Sequence, residues 1–167
     1  MQVPPPHAHH QWLKSFVGDW TYQAQCVTGP DQPPLKSSGR ERVRMVGDFW
    51  LVFEGESEMP GGGGPASTLM TLGYDPARDL FVGSWLGSMM THLYIYEGHL
   101  EVSADGKTHT LPLHTTGPDW SDPSKTARYQ DVHQLHADGR RLMWAQLINA
   151  EGKPTSFMSA DYTRVTT

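Results

Sequence analysis

Apolar and polar side chains alternate with a period of two along most of this chain, and the one departure lies at its start. From His9 to Val17, Trp12, Leu13, Phe16 and Val17 fall at i, i+1, i+4 and i+5, which predicts one short helix ending near Gly18, behind a proline-rich leader. From Trp20 onward the period of two predicts strands over 20–27, 39–46, 49–58, 68–74, 80–86, 91–96, 99–103, 109–115, 127–136, 141–149 and 155–165. Turn signals separate them: Asp75-Pro76 with Arg78-Asp79, then Ala104 to Lys107, Ala137-Asp138-Gly139, and Ala150 to Lys153. Short connections between sequence neighbours give an antiparallel meander. A meander of about eight or more strands removes its exposed edges by closing on itself, so the fold expected is an all-β, up-and-down barrel with one N-terminal helix. The stretches 59–66, with four consecutive glycines, and 117–125, with Pro118, Trp120 and Pro123, are expected to be long loops gating a barrel mouth.

Several strands are bulky on both faces. In 49–58, Phe49, Leu51 and Phe53 share one face, and Trp50, Val52, Glu54 and Glu56 the other; in 91–96, His92, Tyr94 and Tyr96 oppose Leu93 and Ile95. A ligand-holding barrel needs an apolar interior with a few polar anchors, so the mixed face is read as facing inward. The alternative sets that face outward, under the helix or in a subunit contact.

Composition narrows the class. The 167 residues suit one domain, 1–167, of which 1–8 are expected to be a flexible leader. Lys and Arg number 13 against 18 Asp and Glu, an acidic balance that disfavours nucleic acid and anionic membrane surfaces. The single cysteine, Cys26, rules out an intrachain disulfide and fits a reducing compartment. The first ten residues lack the basic and apolar regions of a signal peptide, and no run reaches ~18 apolar residues, so a cytoplasmic location is expected.

Gly18-Asp19-Trp20, after a short helix and opening the first strand, resembles the Gly-x-Trp opening of lipocalins and other calycins. That resemblance implies a tryptophan closing one end of the barrel under an arginine from the last strand, here Trp20 under Arg164. More of the chain is similar to a bacterial calycin-like group, domain-of-unknown-function family 1579. The similar segments are 10–20, 47–56, 69–75, Val82-Gly83 through Met89-Met90 to Gly98, 126–132 and 157–164. The resemblance implies a barrel and carries no established activity or site residues. The tetraglycine loop and several extra histidines depart from it.

Nine histidines are the first candidates for chemistry. His7, His9 and His10 lie in the leader. His133 and His136, like His109 and His114, are separated by an odd number of positions and so face opposite ways on a strand. No Cys or carboxylate cluster has zinc spacing; no metal and no cofactor is called for. His92 shares its face with Tyr94 and Tyr96, and an inward His92 would serve as general base, haem ligand or hydrogen-bond anchor. Glu54 and Glu56 lie about 7 Å apart on one face, with Asp131 and Tyr129 available across the barrel. Trp50, Trp85, Met90, Tyr94, Tyr129, Trp144 and Met158 are candidates to line a cavity, and would equally make a filled core. A serine-hydrolase elbow and a phosphate loop are both absent.

Three functions follow. The first is a barrel holding a small hydrophobic or aromatic molecule, anchored by His92, Glu54 or Asp131. The second is a cofactor-independent isomerase or lyase with His92 and Glu54 as acid and base, which requires both to converge on one void; a haem barrel is its companion reading. The third is a filled barrel whose outer aromatic face pairs two copies into a homodimer.

Overall fold

A computed structural model describes residues 1–166. The helix α1 (Ala8–Leu13) runs into a 3-10 turn over Lys14–Phe16. Eleven strands follow: β1 (Gly18–Cys26), β2 (Leu35–Val46), β3 (Trp50–Glu58), β4 (Pro65–Asp75), β5 (Leu80–Gly87), β6 (Tyr94–Gly98), β7 (Glu101–Val102), β8 (Thr108–Pro118), β9 (Thr126–His136), β10 (Arg141–Ile148) and β11 (Pro154–Arg164).

Every pairing is antiparallel between neighbours. The ring closes twice over: β1 pairs with β11, and β6 pairs with β8 through Glu97 with His114 and Gly98 with Leu113. The result is a closed barrel of ten strands, with the two-residue β7 attached beside β8. Closure leaves no long edge for aggregation.

The leader differs from expectation. The His7 ring accepts from the His9 backbone and the His10 ring accepts from the His7 backbone, a reciprocal cap that starts α1 at Ala8. His10 is buried, its Nε2 2.9 Å from the Tyr74 carbonyl. The expected strand over 91–96 begins later, at Tyr94, because the chain turns at Gly87 to Met90 before re-entering the wall. The expected loop over 117–125 is shorter, since β8 runs on to Pro118.

The closed end follows from the Gly-Asp-Trp tripeptide. Gly18 takes φ 141°, open to glycine and strained for other residues, and the space beside it is filled by the Arg164 guanidinium. Trp20 and Arg164 are partners across β1 and β11, with the guanidinium 4.2 Å from the indole centroid. The indole Nε1 donates to the Phe16 carbonyl at 2.8 Å, and Arg164 donates to the carbonyls of Ser15 and Val17. Helix, first strand and last strand are thereby tied into one plug, above which Leu13, Phe16, Trp20, Val43, Leu51, Phe53, Leu72, Phe81, Leu111 and Leu113 form a dry core.

Candidate functional site

Register decides which side chains face the lumen. On β3 the inward set is Leu51, Phe53, Gly55 and Ser57, and it continues onto Leu72, Met70, Thr68 and Ala66 of β4. The face of β3 expected to look inward therefore looks out. Trp50 is 44% exposed, its ring laid across Gly73 in the space a Cβ would take. Glu54 is exposed and bonded to Arg44 Nε at 3.4 Å. Glu54 and Glu56 stand opposite Arg42 and Arg40 of β2, an ordinary solvated face of paired charges and not a set of ligand anchors.

Two further lining candidates fall outside the lumen. Trp144 pairs with Val132 and Ser159 on the outer face of β10, while Met143 and Ala145 point inward. Met90 sits in the turn after β5, 38% exposed. His92 lies in the segment before β6, its ring 4.6 Å from Tyr94 and its Nε2 3.2 Å from the Thr116 carbonyl. Glu54, on the outer face of β3 with Arg44, and His92, beside Tyr94 and Thr116, are not brought together on one void as an acid and base pair requires.

The remaining candidates do come together. Trp85 and Tyr94 are partners across β5 and β6, ring centroids 5.9 Å apart; Tyr94 lies 6.3 Å from Tyr129 across the mouth. Met158 faces Ala145 and Cys26. A β-bulge opposite Ala145 and Gln146 leaves Phe157 over, and its ring reaches Trp120 at 4.4 Å and Tyr129 at 6.2 Å. Trp120, in the loop between β8 and β9, is 62% exposed and hangs beside this rim. The open half differs from the plug in accessibility: Tyr22, Ala24, Cys26, Ser57, Thr68, Trp85, Tyr94 and Met158 all face inward, yet each keeps part of its surface open.

Two polar arrangements separate the open half from the dry core. In one, Arg141 crosses the lumen from β10 and donates to Glu41 of β2 at 2.7 Å. Its guanidinium is enclosed by the rings of Tyr162 (3.9 Å), Trp20 (5.0 Å), Phe16 (5.2 Å) and Phe53 (5.4 Å). His133 is buried beside it, and burial with the adjacent guanidinium pushes its pKa down to about 3, so the ring is neutral. Arg141 and Glu41 were not among the sequence candidates, and His133 was weighed there only as a metal ligand. The available signal was that Arg141 falls in phase with Met143 and Ala145.

The other arrangement centres on Asp131. Leu113 on β8 and Ala145 on β10 are its direct partners, and Thr115 lies one inward position farther along β8. Tyr96 of β6 donates its hydroxyl to Asp131 Oδ2. Burial pushes the Asp131 carboxyl up to about 6 against the opposing pull of that hydrogen bond. The Tyr94, Tyr96 and Tyr162 hydroxyls sense its charge, and burial, as the larger cause in each, also drives them up, so they stay neutral. Thr115 is buried, and its Oγ1 has no hydrogen-bond partner.

Among the described residues no group of three or more His, Cys, Asp or Glu is placed to hold a metal ion. No helix among them is long and apolar enough to cross a membrane. The Cys26 thiol is pushed up by burial, which makes it a poor nucleophile.

The ten-strand closure, the tryptophan plug and the run of similar segments all point one way, and the sequence profile of DUF1579, a family described as proteins of unknown function, matches residues 5–164. The chain belongs to DUF1579. Among solved structures, that of Rv2717c from M. tuberculosis superposes with a TM-score of 0.67 at 14% identity, covering 97% of this chain and 100% of that one. A likeness at that identity speaks for the fold alone. Among curated proteins, none matches the chain.

Proposed function

We propose that this DUF1579 barrel is a small-molecule binder whose ligand occupies the open half of the lumen. Trp85, Tyr94, Tyr129 and Met158 would wall it, Trp120 and Phe157 would cover the rim, and Asp131 would anchor it. The observation that carries the reading is Asp131. A half-buried carboxylate facing inward with a single donor, Tyr96, raises the energy of the folded state, and such a group among half-open aromatic rings is what a binding pocket needs and a filled core does not. Flat rings and a thioether supply apolar contact with little demand on shape.

Fluorescence of N-phenyl-1-naphthylamine, a neutral aromatic probe, tests the pocket. Saturable enhancement on titration with protein, lost when Ala24 or Ala160 is replaced by Trp to fill the lumen, is the expected result. No enhancement, or enhancement that both substitutions leave intact, overturns the proposal.

A further inference from the structure

Resting on that pocket reading, we infer that the ligand is an organic cation: a protonated amine on an apolar, preferably aromatic, body, with the ammonium seated between Asp131 and Thr115. Charge inside the barrel argues for it. Among the inward-facing side chains of the described residues, Glu41 is matched by Arg141, and Arg164 lies across Trp20 at the closed end. His133 is neutral, and the inward tyrosines are neutral. Asp131 is left as the carboxylate without a cation, since its one hydrogen bond comes from a neutral hydroxyl.

The chemistry of each ligand class then differs. An anion would sit beside an unpaired carboxylate; Arg141 keeps Nε and Nη1 without partners, but its side chain is fully buried among four rings and already carries Glu41. A neutral apolar molecule would displace water from Asp131 and give nothing back, leaving a buried charge uncompensated. An ammonium would donate to the free Asp131 oxygen and to the unpartnered Thr115 Oγ1, which the β8 and β9 register sets one inward position apart. The Tyr94 ring, partly open on the same face of β6 as Tyr96, adds a favourable surface for a cation, and Trp85 next to Tyr94 would accept the apolar body.

Displacement of bound N-phenyl-1-naphthylamine at pH 7.5 by three matched competitors tests the inference: 1-naphthylmethylamine, a cation; 1-naphthalenemethanol, neutral; and 1-naphthoate, an anion. The amine is expected to bind at least tenfold more tightly than the alcohol, with the naphthoate weakest. Asp131→Asn should bring amine and alcohol within twofold of each other. Tyr96→Phe, which keeps the carboxylate, should retain the preference. Equal binding of amine and alcohol to the unmodified protein, or a preference surviving Asp131→Asn, overturns the cation assignment and leaves the pocket standing. Failure of the probe to bind, with isothermal titration calorimetry showing no binding of any of the three naphthyl compounds, overturns both.

Discussion

Asp131→Asn should change the pH dependence of stability in a way that isolates the cost of the buried carboxylate. The folded protein holds the Asp131 proton more tightly than the unfolded chain, about 6 against 3.8. Between those values the folded state binds more protons, so this group makes stability fall as pH rises, and the full cost is present above pH 6. The displacement corresponds to about 3 kcal/mol at neutral pH. Asparagine keeps an oxygen for the Tyr96 hydroxyl and does not titrate. Whatever fixed cost the amide carries, the stability of the variant relative to the unmodified protein should rise by about 2–3 kcal/mol between pH 4 and pH 7. Urea unfolding followed by tryptophan fluorescence at half-unit pH steps measures the difference. A flat difference across that range would refute the reasoning, because it would mean Asp131 titrates alike in folded and unfolded chains. The same substitution is expected to abolish amine preference, so stability would rise as recognition falls.

Other outcomes follow from the polar layer and the plug. Arg141→Met alone should lower stability by about 3–5 kcal/mol by stranding Glu41, and adding Glu41→Gln should restore more than half of that; additive losses in a urea double-mutant cycle would contradict the pairing. His133 is held neutral, with its pKa below the ordinary 6.5, so the unfolded chain binds the extra proton and this residue makes stability fall as pH drops from 6.5 toward 3. His133→Leu should therefore move the midpoint of acid unfolding to lower pH, and an unchanged or higher midpoint would count against a buried neutral ring. Arg164→Gln should cost about 1–2 kcal/mol through loss of the indole contact and of a bond to the 3-10 turn, read as a lower urea midpoint with unchanged slope.

How legible the protein was in its sequence depended on the kind of signal. Closure was readable because Gly18-Asp19-Trp20 and Arg164 carry chemistry specific to the ends of such a barrel, and because turn residues marked nearly every hairpin. Tyr94, Tyr129, Trp85 and Met158 share the inward face because side chains in phase along a strand point the same way. Which face looked inward was harder. For β3 the choice between Leu51 with Phe53 and Trp50 with Glu54 turned on whether polar groups meant anchors or solvent, and residues paired across strands, such as Arg44 and Glu54, supplied the answer. The Arg141 to Glu41 pair joins residues 100 apart in the chain, so no local pattern announces it. The bulge that turns Phe157 toward the rim is invisible for the same reason: it is set by register with β10.

The most direct test is the carboxyl carbon-13 resonance of Asp131, followed by NMR against pH in the free protein and with 1-naphthylmethylamine at saturation. An apparent pKa near 6 in the free protein, falling by more than one unit when the amine is bound, is the predicted result. A free value near 4, or one that the amine leaves where it was, would contradict the claim that an uncompensated carboxylate in the open half of this barrel awaits a cation.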